Sequence, residues 1–189
     1  MIERREVDRD DAWALVTQHV GSESLRKHML AVETCMRAYA QARGEDADRW
    51  GVTGLLHDFD WEIHPSQAEH PELGCRMLEE LGWPPDIVRA IRGHATYLNV
   101  PRDTAMAKAL FACDELAGLI TAVAYVRPNK TIREVKASSV RKKMKDKGFA
   151  ANVSRDDIVM GADECGVALD DHIAFMIEAM TANADLLGL

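Results

Sequence analysis

The chain has 189 residues, a formal net charge of −8 and apolar residues at 47% of its positions, which suits a globular domain able to bury a core without disulfides. Its longest apolar run, Leu116 to Val126, falls short of the ~18 residues a membrane span needs, and the start MIERREVDRDD lacks the apolar segment of a secretion signal, so a soluble cytoplasmic protein is expected. Cys35, Cys75, Cys113 and Cys165 form no C-x-x-C pair; this excludes a zinc knuckle or thioredoxin-type motif and reads as small buried residues in a reducing compartment.

Taken in order, nearly every segment reads as helix. Residues 10–20 place Trp13, Val16 and Val20 on one side. Ser22 or Ser24 can cap a long helix to about Arg43, closed by Gly44, with an apolar stripe of Leu25, Met29, Val32, Met36 and Tyr39 and with His28 beside it. Residues 46–58 give a third helix that carries His57 and Asp58 at its C-terminal end. After a loop containing Pro65, Pro71 opens a helix ending at Leu81-Gly82, and Pro84-Pro85 opens another through His94. Residues 103–126 form a long apolar helix stopped by Arg127-Pro128, and 131–147, 154–165 and 169–187 read as three more. With no alternating strand pattern, the expected class is all-α: a helical core over 1–127 and a helical extension over 128–189 packed on it.

Charge is unevenly placed. Arg127 to Arg155 holds ten Lys/Arg against two Asp/Glu, inside an otherwise acidic chain. The acidic majority argues against a nucleic-acid binder, while the basic island suits one anionic contact or a solvated helix face.

Residues able to hold a metal near the core are His28, His57, Asp58, His70, His94 and Asp114. Asp114 interrupts the apolar stretch AKALFACDELAGLITA, where an ionised carboxylate is costly unless something cationic faces it. Imidazole with carboxylate suits Zn, Fe, Mn, Ni or Co better than Ca, and the lack of Cys ligands argues against a closed structural zinc.

The order H…HD…D, carried by His28, His57-Asp58 and Asp114 within LRKHMLAVE, GLLHDFD, EHPELGCRMLEELG, IRGHA and ALFACDELAGLI, resembles the HD-domain superfamily of metal-dependent phosphohydrolases. These are all-helical proteins whose core corresponds to roughly residues 22–126. The closer likeness is to small, mostly uncharacterised predicted HD-superfamily hydrolases, which share the DELAGLITA-type helix and the VRPNK stretch after it. The resemblance implies that His28, His57, Asp58 and Asp114 hold one metal. His70 and His94 match the extra histidines of the two-metal branch, in which Asp58 bridges two ions; that branch includes cyclic-dinucleotide phosphodiesterases of the HD-GYP type and dinucleoside-tetraphosphate hydrolases. Two departures stand out. Trp61 occupies the position where many two-metal relatives have Lys, and ATYLNVPRD follows His94 where a GYP signature would stand, which disfavours cyclic-dinucleotide hydrolysis.

The expected activity is therefore hydrolysis of a phosphorylated small molecule or nucleotide with one or two divalent transition-metal ions. Asp58 is the catalytic ligand, and Asp60 and Glu62, with His64 in a loop at the mouth of the site, are candidates for a general base or a supporting partner. Arg92, Arg127 and Lys130 are candidates for the substrate phosphate; Arg141, Lys142, Lys143 and Lys145 are weaker, because consecutive residues of a helix face different directions. Two other readings use the same residues. One is a di-iron oxygenase. The other is a metal-stabilised ligand- or partner-binding protein without activity, against which the filling of all six ligand positions counts. Nothing in the sequence sets the substrate or the oligomeric state.

Overall fold

A computed structural model describes residues 7–189; most of the charged start, and with it the beginning of the expected 1–127 core, lies outside the described residues. All regular structure among the described residues is helical. Two compact units divide the chain, Met1–Leu110 and Phe111–Leu189. The partition expected at Pro128 remains a reading of composition.

In the first unit α1 (Arg9–His19) starts on Asp8, whose carboxylate accepts the backbone N–H of Asp10 at 2.7 Å. Ser22 caps α2 (Glu23–Arg43), and Gly44 closes it at φ 70°, a left-handed conformation that costs glycine little. Met29, Val32, Met36 and Tyr39 are buried, as the periodicity requires. Glu33 is buried beside them, and its carboxylate accepts hydrogen bonds from Arg9 at 2.7 and 2.9 Å and from Arg37 at 3.0 Å. That bidentate contact ties α1 to α2.

The next helix, α3 (Ala47–Leu56), lies against α2. Their approach is close at Gly54, where an added Cβ would come within 3.0 Å of the Glu33 backbone nitrogen. Small size at this position lets the end of α3 lie beside His28. The helix expected to run through Asp58 stops at Leu56 and passes into tight turns, with Phe59 N–H bonding Leu56 C=O and Trp61 N–H bonding Asp58 C=O. The fully buried Phe59 anchors those turns. Then come α4 (Glu72–Glu80) and α5 (Pro85–His94), the latter with Pro85 in its first turn, packed on each other. The long apolar α6 (Ala105–Tyr125) begins in this unit and continues into the second.

In the second unit α7 (Ala137–Met144), α8 (Arg155–Cys165) and α10 (Ala184–Leu187) each pack on α9 (Leu169–Ala182). Two helices are shorter than expected. The segment read as 131–147 begins with a 3-10 turn, Ile132–Glu134, and an extended Val135 before α7, because Ile132, Val135 and Val140 all turn inward. The segment read as 169–187 breaks at Asn183 (φ −118°, ψ 22°). All four cysteines are buried and outside any disulfide among the described residues, and burial pushes the Cys75 thiol up to about 12.

Candidate metal centre

Four imidazoles and one carboxylate meet where α2, the end of α3, the segment before α4 and the end of α5 come together. His28 Nε2 lies 3.3 Å from His57 Nε2, and His70 Nε2 lies 3.3 Å from His94 Nε2. Asp58 stands between the two pairs. Its Oδ2 is 3.5 Å from His57 Nε2 and 4.0 Å from His28 Nε2, while its Oδ1 is 3.4 Å from His70 Nε2 and 3.6 Å from His94 Nε2. His57, His70 and His94 are buried; Asp58 keeps 17% of its side-chain surface and His28 22%, so the centre opens on their side.

Ring orientation is fixed from behind. His57 Nδ1 donates to Gly54 C=O at 2.8 Å, His94 Nδ1 to Ile91 C=O at 2.6 Å, and His70 Nδ1 to the Asp60 carboxylate at 2.8 Å. Carbonyl and carboxylate oxygens only accept, so each neutral ring carries its proton on Nδ1 and aims a bare Nε2 lone pair inward. For His70 and His94 this sets two lone pairs against each other, an arrangement that is repulsive unless a cation or proton lies between them. Two nitrogens bound ~2.1 Å from one ion at about 90–109° are themselves ~3.0–3.4 Å apart. The donor set fits a divalent transition metal: neutral imidazoles, a shared carboxylate, and hydrogen bonds behind the rings that fix the tautomer. Asp58, His70 and His94 each offer a ligand atom within 4.8 Å of the others.

The supporting residues differ from the sequence reading. Asp60, expected at the mouth of the site, is 1% exposed and sits behind His70. Its second oxygen accepts the Gly74 N–H at 3.1 Å, and Gly74 is small for a reason: a Cβ there would come within 2.4 Å of Asp60 Cγ. Trp61 stands edge-on to His70, ring centroids 4.8 Å apart, and the Tyr97 hydroxyl donates to the His70 carbonyl at 2.7 Å. Tyr97 escaped the sequence reading although it stands just after IRGHA; nothing in its local pattern marks a partner 27 residues away.

Glu62 is likewise not aimed into the centre. Its carboxylate accepts the backbone N–H groups of Gly21 at 2.7 Å and Ser22 at 2.9 Å, clasping the loop after Asp58 to the turn between α1 and α2. Those two backbone donors hold its carboxyl below the usual 4.5. The contact therefore contributes stability above the unfolded-state value, and that contribution disappears as pH falls through the lower folded value. In an NMR titration the Gly21 and Ser22 amide resonances are expected to move with the Glu62 carboxyl, at a midpoint below 4.5; a midpoint at or above it contradicts the clasp.

Among the remaining candidates, Arg92 donates to Glu72 at 2.8 Å and Glu79 at 3.0 Å, joining α4 to α5. His64 is half-buried and its N–H bonds Asp60 C=O at 2.8 Å. Asp114, Arg127 and Lys130 belong to the second unit. Asp114 is half-buried on α6; Arg127 has a buried Nε without a hydrogen-bond partner; Lys130 is exposed with φ 50°.

No helix among the described residues is long and apolar enough to cross a membrane. No curated protein and no solved structure matches the chain. A family model described as HD domain matches residues 25–119. HD domains bind divalent metals, and most are metal-dependent phosphohydrolases. The match covers more than half of the chain and runs through His28, His57-Asp58, His70, His94 and Asp114, so this protein belongs to the HD-domain family.

Proposed function

We propose that the chain is a metal-dependent phosphohydrolase acting on a phosphate ester of a small molecule or nucleotide. One divalent ion would be held by His28, His57, Asp58 and Asp114, and a second by His70 and His94 with Asp58 shared. The observation that carries this reading is the position of Asp58, one oxygen toward each pair of inward-facing Nε2 atoms. For Asp114 the support is its place in the H…HD…D order, as an acid in an apolar helix that needs a cation.

A bound divalent ion supplies a water acidified from ~15.7 toward ~7 and offsets charge on phosphate oxygens. The chain's own part is to hold the donors in place. Backbone carbonyls and Asp60 lock the imidazole rings, and Asp58 brings the anionic charge that four neutral imidazoles lack. Asp60 and Glu62 are already engaged with His70, Gly74, Gly21 and Ser22, so we assign them to positioning and not to proton transfer. Arg92, paired with two carboxylates, is a tie between helices.

The test is phosphate release across nucleotides and phosphomonoesters by protein loaded separately with Mn, Fe, Co, Ni or Zn. Turnover that vanishes on chelation and returns with metal is expected; no release with any ion contradicts the proposal.

Arg127 and Lys130 remain the proposed phosphate contacts. Arg127→Ala is expected to raise KM or lower kcat/KM for a phosphorylated substrate without altering metal content, because a guanidinium contact to phosphate is directional and charge-assisted. Kinetics beside Lys143→Ala as control check it. Lys143 is already engaged with Asp146 at 3.5 Å and with the Phe149 ring, so equal activity in the two variants removes Arg127 from substrate binding.

A further inference from the structure

Trp61 lies three residues beyond Asp58 and touches the ligand-bearing segment directly, yet 41% of its surface is exposed; Ile63 at 40% and Tyr97 at 38% are exposed nearby in the chain or against the same histidine. A single exposed apolar side chain means little, but several beside a polar site mark a surface that can take a ligand. The tryptophan is also held firmly. Trp61 N–H bonds Asp58 C=O at 3.0 Å, its ring meets His70, and the next residue, Glu62, is clasped by Gly21 and Ser22. A rigid indole is thereby presented beside the metal centre at little entropic cost on binding.

The segment that forms this border carries no cationic side chain of its own. From His57 through Cys75 the sequence contains no Lys or Arg, but it contains Asp58, Asp60, Glu62, Glu69 and Glu72. Arg76 and Arg92 are both spent on Glu72, Arg92 on Glu79 as well, and Arg26, whose charge reaches Glu62, donates to the Val20 and Thr17 carbonyls. A polyphosphate chain lying along this side would meet carboxylates, whereas a flat neutral group would meet indole.

We propose that Trp61 determines substrate specificity: it is the platform on which the planar aromatic group of a phosphate monoester stacks while the phosphate reaches the centre at Asp58. The inference rests on the phosphohydrolase reading for its substrate's phosphate, and on Trp61 alone for the planar group.

The experiment uses the full metal-loaded chain and two probes that differ in the planar group, adenosine 5′-monophosphate and ribose 5-phosphate, with Trp61→Ala and the conservative Trp61→Phe. Stacking on an aromatic side chain corresponds to about 5- to 150-fold in affinity. Trp61→Ala is expected to raise KM for the adenosine ester by about 10- to 100-fold with kcat within a few-fold, to leave ribose 5-phosphate unchanged, and Trp61→Phe is expected to recover most of the loss. Equal handling of both probes by the unmodified protein overturns the platform, as does a variant that weakens both alike, since Trp61 would then only prop His70. Should the unmodified protein release phosphate from neither probe nor from any ester of the wider series, the hydrolase reading fails on its own. Calorimetry on the same samples still decides the platform: tighter binding of the adenosine ester that is lost in Trp61→Ala supports it, and equal or no binding overturns it.

Discussion

Replacing Asp58 by alanine is expected to lower phosphate-ester turnover by at least about 10³-fold while leaving the helical fold standing. The reason lies in how much converges on one side chain. Asp58 faces all four imidazoles within 4.0 Å, one oxygen toward each Nε2 pair. Without it neither of the two proposed ion sites would keep an anionic donor from this turn. The fold depends on other groups: the turn is held by Phe59, fully buried, and by the packing of α3 on α2. Circular dichroism and a thermal melt beside the kinetics separate the two effects. Turnover that persists in metal-replete Asp58→Ala contradicts the role given to it.

Asp60→Ala is expected to weaken binding of one ion by about 10- to 100-fold while the other stays bound, as removal of a hydrogen-bond partner behind a ligating histidine commonly does. The carboxylate orients His70 through Nδ1 and accepts the Gly74 N–H. Its loss leaves a buried imidazole N–H and a buried backbone N–H unpaired, at a cost of about 1–3 kcal/mol for each group. Gly74→Ala should give the same phenotype by another route, because its Cβ would fall within 2.4 Å of Asp60 Cγ and the carboxylate would have to move. Equilibrium dialysis reads the result. Two ions bound as tightly to both variants as to the unmodified protein would show that Asp60 does not orient a ligand.

The proposed ligand set is legible in the sequence because its chemistry is local. An imidazole or carboxylate set in an apolar pattern, as at His57-Asp58 or Asp114, announces that something must compensate it. Helix starts were legible for a similar reason, since Ser22, Asp46 and Ser154 each use the side-chain oxygen that caps a helix. What the sequence hid was partnership over distance. Asp60 looked like a solvated loop acid because its burial depends on Gly74, 14 residues on. Glu62 looked like a candidate base because its backbone partners lie 41 and 40 residues earlier. Arg92 looked free for phosphate, and only the packing of α4 on α5 brings Glu72 and Glu79 to it. The basic segment was ambiguous for the same reason: Arg141 finds Asp170 at 3.0 Å. The early end of α3 has a local cause instead, for His57 turns its Nδ1 back to Gly54 C=O.

The most direct measurement is a crystal structure of unchelated protein with anomalous data at the absorption edges of Mn, Fe, Co, Ni and Zn, together with elemental analysis of the same sample. Two anomalous peaks are expected, one against His28 and His57 and one against His70 and His94, each within bonding distance of a different Asp58 oxygen. Protein reconstituted with each of these metals that shows no peak at either pair of Nε2 atoms would contradict the assignment of a metal centre to these residues.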